Sequence, residues 1–112
     1  MLCAAQIAPQ VTQTDIWIKK ADFEGGERYS AVGFSIGTKG YIGTGRALDI
    51  DSPHKKDFWE FNPLSDSWTE KPDFEGVKRG LAIGFSINEK GYIVTGVNNS
   101  SQPQNDFWEY DP

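Results

Sequence analysis

Apolar residues come in bursts of four to seven, divided by clusters of Gly, Pro, Asn and Ser, and nowhere do they hold the roughly 3.6-residue spacing of an amphipathic helix. The pattern predicts strands near 30–36 and 39–45, joined by a turn at Gly37-Thr38, then strands near 57–62 and 66–71, joined by Pro63-Leu64-Ser65. Three more are expected near 81–87, 90–96 and 105–110. Phe34, Ile36, Tyr41 and Ile42 leave little polar surface in the first two strands, as expected of sheets covered on both faces. The fold class is therefore all-β, built from stacked antiparallel sheets. Gly33, Gly40, Gly43 and Gly45 suit places where backbones crowd or φ turns positive.

The pattern repeats. Trp17, Lys20 and the run Asp22-Phe23-Glu24-Gly25 recur 51 positions later as Trp68, Lys71 and Asp73-Phe74-Glu75-Gly76. From Trp17 to Gly45 the two copies agree at 18 of 29 positions, among them Arg28 with Arg79 and Lys39-Gly40-Tyr41-Ile42 with Lys90-Gly91-Tyr92-Ile93. After a loop two residues shorter in the second copy, Asp57-Phe58-Trp59-Glu60-Phe61-Asn62-Pro63 meets Asp106-Phe107-Trp108-Glu109-Tyr110-Asp111-Pro112. Two copies with a period near 50 are the organising fact. They span about 14–63 and 64–112, behind an N-terminal tail over 1–13.

Each copy carries Tyr-Ile-x-Thr-Gly (Tyr41 to Gly45, Tyr92 to Gly96), then Trp-Glu-Phe/Tyr-Asn/Asp (Trp59 to Asn62, Trp108 to Asp111), and the first adds Trp68 seven positions after its aromatic. This arrangement resembles the kelch motif, and its Asp-Phe-Trp-Glu-Tyr-Asp-Pro variant is similar to the galactose-oxidase-like kelch proteins of bacteria, many of them exported. The resemblance implies that each copy forms one four-stranded blade of a β-propeller, a ring of usually six or seven blades around a channel. Two blades leave two apolar sheet faces open. Two readings of that shortfall stay open. The chain is a piece of a longer gene whose missing blades complete the ring, or it is a homo-oligomer in which three chains close a six-bladed ring. Thr14-Asp15-Ile16-Trp17 matches Ser65-Asp66-Ser67-Trp68, so the chain opens on an outermost strand that can be exchanged.

Composition narrows the function. A net charge of −5, from 11 Lys plus Arg against 16 Asp plus Glu, leaves no footprint for gripping a phosphate backbone, so no nucleic-acid partner is expected. No apolar run is long enough for a membrane span, and the single Cys3 forms no internal disulfide. Leu2-Cys3-Ala4-Ala5-Gln6 reads as the remnant of an export signal or as an ordinary tail; the first reading places the parent protein in the periplasm, at the cell surface or outside the cell.

Catalytic chemistry finds little to stand on. The copper site of galactose oxidase takes two His and two Tyr, one of them crosslinked to Cys, whereas this chain has one His, His54, beside Lys55 and Lys56. Asp49 and Asp51 open a stretch like a calcium loop, but His54 stands where a turn needs Gly and Pro53 takes a ligand position. No metal and no cofactor is expected. The copies differ most where 46–56 replaces 97–105, on the side that binds partners in kelch proteins. Arg28 and Arg79 approach the channel mouth, where a repeated Arg either ties neighbouring blades or receives a carboxylate or sulfate. Trp17, Trp59, Trp68 and Trp108 read as packing between blades. The candidate ligand residues are Arg28, Tyr29, Arg46, Asp49, Asp51, His54, Arg79, Asn98 and Asn99. The expected function is a non-catalytic binding or scaffolding module presenting loops to a protein or carbohydrate ligand. The alternative is part of a kelch-type carbohydrate-active enzyme, an oxidase or a sialic-acid epimerase, with its catalytic residues in blades outside this chain.

Overall fold

A computed structural model describes residues 14–48 and 50–112. Seven strands form among them, with no helix: β1 Val32–Ile36, β2 Lys39–Gly43, β3 Phe58–Asn62, β4 Ser67–Lys71, β5 Ile83–Ile87, β6 Lys90–Val94 and β7 Phe107–Tyr110. They make two antiparallel sheets, one ordered β1-β2-β3-β4 and one ordered β5-β6-β7. The fold class read from the hydrophobic pattern is the observed one.

Alternation along the strands decides which face each residue takes. Val32, Phe34 and Ile36 of β1 share one face with Tyr41 of β2 and Phe58 of β3, as the register Phe34↔Tyr41 and Gly43↔Phe58 requires. That face packs against Ile93, Trp108 and Tyr110 of the second sheet, with Phe74 and Ala82 from the connection into β5. Tyr110 sits edge-on to both Phe58, at 4.7 Å between ring centroids, and Tyr41, at 5.5 Å. Gly84 and Gly91 leave room for this approach: a Cβ at Gly91 would fall within the Phe34 ring. The Tyr41 hydroxyl donates to Glu60 Oε2 at 2.8 Å, and burial with this bond raises the Tyr41 pKa. Burial opposes ionisation of Glu60, but the Tyr41 hydroxyl, Lys71 and Lys39 outweigh it and hold the carboxyl below its usual range.

Two expectations need correction. The strands foreseen over 30–36 and 39–45 are cut back to β1 and β2, because Ser30 and Thr44, both at φ 58°, and Gly45, at φ 98°, are left-handed. The second copy does the same at Leu81, Thr95 and Gly96, so β5 and β6 are trimmed alike. Pairing resumes beyond the break as single bridges, Tyr29↔Arg46 and Gly80↔Val97. Gly45 is required there, since a Cβ would stand 2.9 Å from the Tyr29 carbonyl oxygen. The second correction concerns residues 14–17, expected as an outermost strand. They form no strand, and Trp17, expected to pack, is 98% exposed. Segment 14–20 is the counterpart of residues 65–71, sharing Trp17 with Trp68 and Lys20 with Lys71, yet the edge of β3 that such a strand would join already holds β4 itself.

Candidate functional site

Antiparallel order places the start of β1, the end of β2, the start of β3 and the end of β4 at one end of the first sheet. The loop 44–57 and the connections 21–31 and 72–82 therefore gather at that end, with 95–106 beside them.

Under these loops lies a framework that occurs twice. Arg79 donates to Asp106 from both terminal nitrogens, at 2.6 and 2.7 Å, and to the carbonyls of Thr95 at 2.9 Å and Val77 at 3.1 Å. Its guanidinium lies 4.9 Å from the Phe74 ring centroid, and the Trp108 indole N–H completes the Asp106 shell at 2.7 Å. Arg28 repeats the arrangement with Asp57, at 2.7 Å from each nitrogen, with the Thr44 carbonyl at 3.0 Å, the Phe23 ring at 4.8 Å and Trp59. The bonds from Arg79 and Trp108 hold Asp106 down to about 2 against the cost of partial burial. At Asp57 burial is the larger influence and raises the pKa, but the bonds from Arg28 and Trp59 together outweigh it.

These contacts fix what the two arginines do. The paired donors that would meet a ligand carboxylate already hold Asp57 and Asp106, and Arg79 is wholly buried. Neither role expected of a repeated Arg is the one displayed: each side chain ties loops within its own copy, Arg28 to Gly25, Thr44 and Asp57 and Arg79 to Val77, Thr95 and Asp106, and not one copy to its neighbour. Asp57, Asp106 and the carbonyls of Thr44 and Thr95 were absent from the candidate residues. Their signal was the identity of Asp57 and Asp106 between copies, paired one-to-one with the identity of Arg28 and Arg79.

The variable loop sits on this framework. Backbone bridges pair Arg46 with Tyr29 and with His54, and Lys55 with Arg79. Gly45 N–H donates to the Arg79 carbonyl at 2.8 Å and Phe74 N–H to the Lys56 carbonyl at 2.8 Å, so the first copy's loop is fastened to the second. His54 is buried, its ring nitrogen Nδ1 against Asn99 Oδ1, which also accepts the His54 N–H at 3.0 Å. Lys78 Nζ reaches Ser52 Oγ at 3.2 Å. The Arg46 guanidinium stands 5.7 Å from the half-exposed Tyr29 ring. Its Nε is buried with no acceptor among the described residues.

The candidate residues thus sort into groups. Tyr29, Arg46, His54 and Asn99 come together at one end. Asn98 organises its own loop, its Oδ1 accepting the N–H groups of Ser100 at 2.9 Å and Gln102 at 3.0 Å. Asp51 is exposed on the loop, and Asp49 lies outside the described residues. Among the described residues no group of three or more His, Cys, Asp or Glu converges as a metal site, and no helix is long and apolar enough to cross a membrane.

In outline the chain follows a known structure. The solved structure of YjhT matches it with a TM-score of 0.66 at 25% identity, over 76% of this chain and 25% of that one. The chain spans about a quarter of the length of YjhT. No family model matches the chain, and no curated protein does.

Proposed function

We propose that the two copies are kelch-type propeller blades and that the chain serves as a non-catalytic binding module, whose loop end recognises an anionic group on a protein or carbohydrate. The four-stranded antiparallel sheet, the period near 50 and the likeness to YjhT support the blade reading. The observation that carries the binding reading is the contrast at the loop end. Arg28 and Arg79, present in both copies, have both terminal nitrogens committed to a carboxylate of their own framework. Arg46, which has Val97 as its counterpart, has no carboxylate partner among the described residues and stands 5.7 Å from the half-exposed Tyr29 ring. A donor fork next to an aromatic face suits a carboxylate borne on a sugar ring or a peptide.

The test is a binding titration of the chain with carboxylated oligosaccharides, neutral oligosaccharides and acidic peptides at two salt concentrations. One anionic class is expected to bind, more weakly in high salt, with affinity reduced tenfold or more in Arg46→Ala and unchanged in Lys90→Ala at the opposite end. Binding by none of the three classes, or binding that ignores Arg46→Ala, overturns the reading.

A further inference from the structure

The outer faces of the two sheets are counterparts of the faces that already pack together inside the chain. Ile83 is 58% exposed where its counterpart Val32 is 4%, Ile87 is 53% where Ile36 is 6%, and Phe107 is 60% where Phe58 is 3%. The aromatic trio on this open face is nonetheless assembled: Phe85, Tyr92 and Phe107 stand 5.4 to 6.0 Å apart, as Phe34, Tyr41 and Phe58 stand 5.6 to 5.9 Å apart. On the far side of the first sheet, Gly40 and Ile42 are the counterparts of Gly91 and Ile93, which receive Phe34 and the core. There a hollow lined by Phe23, Arg28, Ala31 and Ile42 corresponds to the niche in which Phe74 and Ile93 surround Phe58.

We propose that a second copy of this chain docks head to tail, the outer face of its first sheet covering the outer face of β5-β6-β7. Phe107 enters the hollow at Phe23 and Ile42, and Phe85 lies over Gly40. The same neighbour supplies its residues 14–20 as the strand beyond β7, just as β4 lies beyond β3 and leads into the second copy. The register of β3 with β4, Phe61↔Trp68 and Glu60↔Thr69, transfers as Tyr110 opposite Trp17 and Glu109 opposite Ile18. It brings Lys20 to Glu109 as Lys71 stands 3.9 Å from Glu60, and gives the exposed Trp17 the aromatic partner that Trp68 finds in Phe61 at 5.0 Å. Such a contact uses different patches on the two partners, so it either closes into a ring or propagates. The inference does not depend on what the loop end binds.

Light scattering after size exclusion on the 12.5 kDa chain tests it, with two sets of variants. The expected mass exceeds 12.5 kDa, a defined multiple of it where the contact closes and a concentration-dependent value where it propagates. Gly40→Ala reduces it to the monomer with an unchanged far-ultraviolet spectrum, because a Cβ at Gly40 meets only Phe61 Cβ, at 3.8 Å, in its own chain. The strand is tested by mixing two differently tagged single-cysteine chains, Ile18→Cys and Glu109→Cys, each also carrying Cys3→Ser. A disulfide joining the two tags is expected. A monomeric wild-type chain overturns the proposal, as does a multimer whose mass survives Gly40→Ala; a multimer without the crosslink overturns the strand register.

Discussion

The Arg79 guanidinium and the Asp106 carboxylate meet through two hydrogen bonds of 2.6 and 2.7 Å, joining the entry to β5 with the entry to β7. Arg79 is wholly buried and the Asp106 side chain is 36% exposed, so removing the cation strands a carboxylate that keeps some water, while removing the anion strands a cation that has none. Arg79→Ala is expected to cost about 2–3 kcal/mol in urea unfolding, and Arg79→Lys a comparable amount, since an ammonium cannot reproduce the fork. Equal stability of Arg79→Lys and the parent would show that charge alone suffices.

Acid should loosen the same pairs. Asp106 titrates near 2 in the folded chain against an ordinary value of 3.8, so its contribution is complete above about pH 4 and is lost as the pH falls from there towards 2. Allowing for solvent screening at a partly exposed carboxylate, that loss is about 1 kcal/mol. Asp57, also lowered, acts in the same direction. Urea midpoints measured from pH 5 to pH 2 should fall for the parent and fall less for Asp106→Asn, which begins from a lower value.

The meeting of Phe34 with Gly91 predicts opposite outcomes for equivalent glycines. A methyl group at Gly91 collides with the Phe34 ring, so Gly91→Ala should cost about 1–3 kcal/mol. Gly40→Ala meets nothing closer than Phe61 Cβ and should fall within about 1 kcal/mol of the parent. Chemical denaturation of each in dilute solution checks the pair.

Much of this is legible in the sequence. The two copies, the all-β class and all seven observed strands followed from short apolar bursts and the spacing of Trp17 from Trp68. Strand ends did not, because Ser30, Thr44 and Leu81 enter the left-handed region without being residues that advertise it. Nor did segment 14–20, whose strand-like sequence finds no free edge beside β3. At the candidate site, difference between copies drew attention to Arg46 and His54. Identity between copies was the better guide to Arg28 and Arg79, whose partners Asp57 and Asp106 repeat with them.

Asn99 is expected to govern the variable loop from a distance of 45 residues, since it holds both the ring and the N–H of His54. Asn99→Ala removes the one oxygen that partners both groups of the buried His54, and amide hydrogen exchange at His54 and Lys55 should accelerate by tenfold or more. Exchange in β6 should not change, which separates loop opening from global unfolding.

The loop from Arg46 to Lys56 is tied down at both feet, while Leu48 and Ile50 stand almost fully in solvent. Its feet are part of the joint between the sheets, so drift in sequence there is felt by both. A foreign peptide written in beside Leu48 and Ile50 would be held out on a rigid pedestal. That makes this short arc the natural graft point of the molecule: a place where specificity can be rewritten while the architecture beneath it stays fixed.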